Sequence, residues 1–99
     1  MKCTVIPAGG KPVKQVKNLG WLLDRLSEQA VSRIDVDLID HTHLTGPVYD
    51  AILQVTFVDG WSFISTWQDR TILARWLRTR RTLYGLTYTW GHAGETVYL

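Results

Sequence analysis

His41 and His43 stand two residues apart, shortly after Asp37 and Asp40, and His92 lies far along the chain. In extended backbone, residues two apart point the same way, so this pair with a carboxylate has the makings of a metal-ligand set. The set stays incomplete. No cysteine is close by, no other histidine has ligand spacing, and polar residues are expected where a strand gives way to the turn Thr45-Gly46-Pro47. Nucleophilic chemistry fares no better. Cys3 sits near the start, no Gly-x-Ser-x-Gly elbow occurs, and Gly9-Gly10 runs into Lys11-Pro12 rather than into a helix that would cradle phosphate. These residues predict no catalytic group, no cofactor and no metal, hence a binding protein rather than an enzyme.

Arginine is the residue type with a spatial pattern. Arg70, Arg75, Arg78 and Arg81 fall within about 140° of one another on a helical wheel, away from the apolar side of the same segment. Such a strip can contact successive phosphates, and aromatic side chains on a sheet face could stack bases, which makes nucleic-acid binding one of two readings of function. A plainer account also fits, because arginines near a helix C-terminus complement its dipole and a solvated face needs charge. The pI of about 8.9 falls just short of dedicated nucleic-acid domains, and neither an RRM aromatic signature nor a zinc finger is present. Charge is laid out in blocks: +4 over residues 1–33, −5 over residues 34–59 and +3 over residues 60–99. If the blocks stay apart in the fold, one acidic and one basic surface result and association is charge-steered; if they interleave, no such surfaces form.

The elements that position these residues follow from periodicity. Asn18 can cap a helix with apolar positions Leu19, Leu22, Leu23, Leu26 and Ala30, which leaves Trp21 on the polar side. Ile34, Val36 and Leu38 alternate with Asp35 and Asp37 as in a half-buried strand. Strands over residues 48–58 and 61–67 flank Asp59-Gly60, a pair suited to a two-residue type I′ turn. Asp69 can cap a second helix with Ile72, Leu73, Trp76 and Leu77 on its apolar side, ending near Tyr84-Gly85. Residues 86–90 and 96–99 read as strands joined by the turn Gly91-His92-Ala93-Gly94. With a possible first strand the order is β-α-β-β-β-α-β-β. The expected architecture is α+β: an antiparallel sheet of four to six strands with two helices packed on one face, forming a single domain over residues 1–99.

Composition agrees with that size. Apolar residues form 45 % of the 99 and charged ones 20 %, as in a globular rather than a disordered or membrane chain. No apolar run approaches the roughly 18 residues of a membrane span, the start is too short in apolar residues for a signal peptide, and a lone cysteine suits a reducing compartment, so the cytoplasm is the expected location.

A two-residue turn at Asp59-Gly60 pairs Val58 with Trp61, Thr56 with Phe63 and Ile52 with Trp67 on one face, leaving Leu53, Val55, Phe57 and Ile64 on the other. Neither set is mostly polar. Two helices cover one face; the other is then covered by terminal strands, by a second copy of the chain or by a protein partner. The leading expectation is therefore protein binding, or self-association, through Trp21, Ile52, Trp61, Phe63 and Trp67, with the Arg70, Arg75, Arg78 and Arg81 strip as the nucleic-acid alternative. A register slip of one residue would exchange the two faces.

The run Val16-Lys17-Asn18-Leu19-Gly20-Trp21-Leu22-Leu23, the Asp59-Gly60 hairpin, Leu73-Ala74-Arg75-Trp76-Leu77 and Gly85-Leu86-Thr87-Tyr88-Thr89-Trp90-Gly91 together resemble small uncharacterised proteins of bacteriophages and prophages. The resemblance implies an accessory protein that acts by binding a host factor, and it carries no catalytic residues.

Overall fold

The computed structural model describes residues 1–10, 12–28, 31–39, 49–84 and 89–90, with side chains through residue 79. In chain order the elements are β1 (Cys3–Ile6), β2 (Lys14–Val16), α1 (Gly20–Glu28), β3 (Val31–Leu38), β4 (Ala51–Phe57), β5 (Ser62–Trp67), α2 (Arg70–Tyr84) and β6 (Thr89–Trp90). Five strands form an antiparallel sheet ordered β2-β1-β5-β4-β3, and β6 adds beside β3 in parallel, pairing Asp35 with Thr89 and Val36 with Trp90. Strands β2, β5, β3 and β6 thus run one way and β1 and β4 the other, so α1 and α2 each connect two parallel strands. The fold is α+β as expected, with one strand, β2, that the lysine-rich stretch before α1 concealed. The expected strand over residues 96–99 and the turns at Thr45-Gly46-Pro47 and residues 91–94 lie outside the described residues.

The expected caps are in place. Asn18 Oδ1 accepts the Gly20 amide at 2.8 Å, and Asp69 Oδ1 accepts the Thr71 amide at 2.7 Å. Each satisfies an amide that a helix start leaves without an intrahelical partner.

The hairpin between β4 and β5 differs from expectation in a way that decides the core. The loop has three residues, Val58-Asp59-Gly60, rather than two. The Phe57 amide donates to the Trp61 carbonyl at 2.8 Å, and the Gly60 amide turns back to the Phe57 carbonyl at 3.0 Å. Gly60 has φ +93°, the left-handed position that follows a tight turn in three-residue hairpin loops. One extra loop residue shifts the register by one: Ala51 pairs with Trp67, Leu53 with Ser65, Val55 with Phe63 and Thr56 with Ser62. The pairs Val58/Trp61, Thr56/Phe63 and Ile52/Trp67 do not form.

The corrected register sorts the side chains cleanly. Ala51, Leu53, Val55, Phe57, Phe63 and Trp67 share a face with Cys3 and Val5 of β1 and Ile34 and Val36 of β3, and all are buried. Leu22 and Leu26 of α1 and Leu73 and Leu77 of α2 belong to the same core. At roughly 1.5 to 3 kcal/mol for each large apolar side chain taken from water, this layer is the main stabilising term of the fold. Ring contacts tie each helix to it: Trp21 of α1 stacks on Phe63 at 5.8 Å, and Trp76 of α2 lies 5.7 Å from Trp67. The other face carries Thr4, Ile6, Ile52, Gln54, Thr56, Ser62, Ile64, Thr66, Asp35 and Asp37. Mostly polar, it is the wet side that an antiparallel sheet can present. The expectation of two apolar faces is overturned by the single added loop residue.

Trp67 is 4 % exposed, and its indole N–H donates to Ser65 Oγ at 2.8 Å, so the buried serine is partnered. Trp67→Ser is expected to cost about 3 to 5 kcal/mol, read as a lower denaturant midpoint for the helical circular-dichroism signal. An unchanged midpoint would contradict this placement of Trp67.

Candidate functional site

The site is assembled from the start of α2 and its outer side. Leu73 and Leu77 are buried and Trp76 is half-buried, which fixes the rotation of the helix and turns Thr71, Ile72, Arg75, Arg78 and Thr79 outward, all exposed. Ile72, expected on the apolar side, is 54 % exposed, because the buried stripe is narrower than the sequence suggests. The Thr79 hydroxyl donates back to the Arg75 carbonyl at 3.1 Å, and α2 contains no carboxylate anywhere in Arg70–Tyr84. Its outward side is therefore a positively charged ridge of donors centred on Arg75 and Arg78.

Arg70 is withdrawn from that ridge. The Asp50 carboxylate accepts its main-chain amide at 2.9 Å, its Nε–H at 2.9 Å and an Nη2–H at 3.0 Å, and the same Nη2 reaches the Ile39 carbonyl at 3.4 Å. Asp50 is itself fixed by its main-chain N–H, which donates to the Trp67 carbonyl at 2.7 Å. The hydrogen bond to Asp50 raises the Arg70 pKa above its ordinary value, opposed by partial burial. Both side chains keep substantial exposure, 40 % and 22 %, so solvent screens the pair and its contribution lies in aiming the helix. A double-mutant cycle of Asp50→Ala and Arg70→Ala is expected to give a coupling of about 0.5 to 1 kcal/mol in urea unfolding; a coupling of zero would mean that the pair does not position α2.

The aspartates of the central block are spent in the same manner. Asp59 pairs with Arg25 and Asp35 with Arg33, so the acidic block meets bases from both flanking blocks. The charge blocks interleave in space, and three of the five aspartates of residues 34–59 neutralise arginines rather than form an acidic surface. The Arg25 guanidinium also lies 5.3 Å from the Trp21 ring, 5.2 Å from Phe57 and 4.9 Å from Trp61, the range in which a cation is attracted to an aromatic face. This explains why Trp21 leaves the polar side of α1. It covers Phe63 and lies 6.1 Å from Trp61.

Of the side chains expected to form a protein interface, Phe63 and Trp67 are core, Trp21 and Trp61 are half-buried against each other, and Ile52 stands apart from them on the wet face. The structure does not bring them together on one surface. Of the arginine strip, Arg75 and Arg78 lie on the exposed ridge, Arg70 is bound by Asp50, and the Arg81 side chain is outside the described residues. His41, His43 and Asp40 of the metal-ligand pattern, and His92, are also outside them. Among the described residues no group of three or more His, Cys, Asp or Glu could hold a metal ion, and no helix is long and apolar enough to cross a membrane. Sequence reasoning missed Asp50 and Thr71. Thr71 shares the wheel sector of Arg75 and Arg78, whereas Asp50 is 20 residues from Arg70 along the chain and left no local signal.

An open cleft of about 250 Å³ adjoins the start of α2, lined by Met1, Thr66, Trp67, Gln68, Asp69 and Ile72. Asp69 is engaged in capping, and the lining holds no nucleophile paired with a base. Cys3 is 1 % exposed, and burial pushes its thiol pKa up. Stability therefore declines as pH rises through the ordinary thiol range, because the unfolded chain ionises there first. In mildly alkaline buffer, iodoacetamide is expected to label Cys3 slowly in the native protein and rapidly in denaturant; equal rates would place the thiol at the surface.

Comparison with protein families, curated proteins and solved structures found no match.

Proposed function

We propose that this protein is a non-enzymatic nucleic-acid-binding domain that contacts phosphates through the outer side of α2. The observation that carries the reading is the makeup of that side: Arg75 and Arg78 stand exposed on a helix that contains no carboxylate. A helix stabilised by an apolar stripe needs charge on its solvent side, but mixed charge serves that purpose; a helix with only bases suits an anionic partner. The sheet aromatics expected to stack bases are spent in the core and in the Arg25 cluster, which leaves phosphate contact as the mode of binding. Phe63 and Trp67, two of the five side chains expected to dock a protein, are inside the fold.

Arg75→Ala and Arg78→Ala remove exposed side chains and are expected to leave the circular-dichroism spectrum unchanged. Together they should weaken binding of labelled DNA or RNA at low salt and flatten the slope of log K against log salt by about two, roughly one for each phosphate no longer neutralised. Binding with the parent's affinity and salt slope in the double variant would reject this site.

A further inference from the structure

Resting on the reading above, we infer that the ligand of the α2 ridge is a double-stranded nucleic acid and not a single strand. Single strands are held by a basic groove together with exposed aromatic rings on which unpaired bases stack, each worth about 1 to 3 kcal/mol. This chain is rich in aromatic residues, yet six of the seven whose side chains are described are engaged with the fold. Phe57, Phe63 and Trp67 are buried, Trp21 and Trp61 enclose Arg25, and Trp76 lies on Trp67. Among the described residues only Tyr49, at 38 %, is an exposed aromatic side chain, and it belongs to the segment before β4 rather than to α2. Among the described residues the wet sheet face carries threonine, serine, glutamine, isoleucine and aspartate but no ring.

The ridge has the opposite properties. Its donors, Thr71, Arg75 and Arg78, are mounted on one helix whose rotation is fixed by Leu73 and Leu77 and whose start is fixed by Asp50 and Asp69. From Thr71 to Arg78 the helix rises about 10 Å, the length over which one strand of a duplex presents about three phosphates. A rigid row of donors matches a phosphate array that is already rigid. A flexible single strand would have to be ordered against it, with no ring of the described residues beside the ridge to offset the lost entropy by stacking.

The test is fluorescence anisotropy at low salt with the whole protein, using a short DNA duplex, an RNA duplex of the same sequence, and each strand alone. Duplex binding at least about tenfold tighter than either strand, weakened in the Arg75→Ala/Arg78→Ala variant, supports the inference. Tight binding of one duplex type alone also supports it and identifies the sugar. A single strand bound as well as or better than both duplexes, still through Arg75 and Arg78, overturns the duplex inference while leaving the phosphate reading standing. No binding of any probe by a folded protein overturns both.

Discussion

The three-residue loop Val58-Asp59-Gly60 is the constraint on which the rest depends. β4 and β5 lie at the centre of the sheet, and their mutual register fixes which of their side chains meet the helices. With Gly60 in the left-handed region, Phe57, Val55 and Leu53 come onto the same face as Phe63 and Trp67, and β1 and β3 add Val5, Cys3, Ile34 and Val36 in step. Leu22 and Leu26 of α1 and Leu73 and Leu77 of α2 join this core. Because the side-chain period of a strand is two, no intermediate register is available: the hairpin either buries this set or exposes it.

The same loop end gathers the molecule's cation and ring contacts. Asp59 of the loop holds Arg25 of α1, and Arg25 fills the space between Trp21, Trp61 and Phe57. At the opposite end of β5, Asp50 and Asp69 take hold of the start of α2. Each helix is thus secured to the central hairpin by an aspartate close to a strand end. Both tethers join an acid to a base at the start or inner side of a helix, whereas α2 itself supplies arginines and no carboxylate.

What the sequence makes legible is whatever depends on neighbours a few residues apart. Asn18 and Asp69 are caps because their side chains reach amides two residues on, and the alternation of Ile34, Val36 and Leu38 marks β3 with either face inward. The faces of the central hairpin are not legible, since Asp59-Gly60 serves a two-residue and a three-residue loop and the choice shifts every pair. A helical wheel puts Trp21 on the wrong side of α1 because it takes no account of a cation and two rings on other elements. For the site, the arginine ridge can be read from spacing alone, but the removal of Arg70 from it cannot, as Asp50 reaches it only through the folded sheet. β2 escapes notice because three residues, two of them exposed, carry no apolar alternation.

That short strand has a bearing on how the molecule behaves in a crowded solution. β6 caps part of the β3 margin, whereas among the described residues no strand lies beyond β2 at the other margin. Such a margin is a template on which stray chains can add, the first step towards fibrils. Here it is brief, begins with Lys14 and is preceded by Pro12, which has no amide to offer, with Lys17 just beyond its end. The lysines that hid the strand from its sequence pattern are the same groups that make it a poor seed for growth.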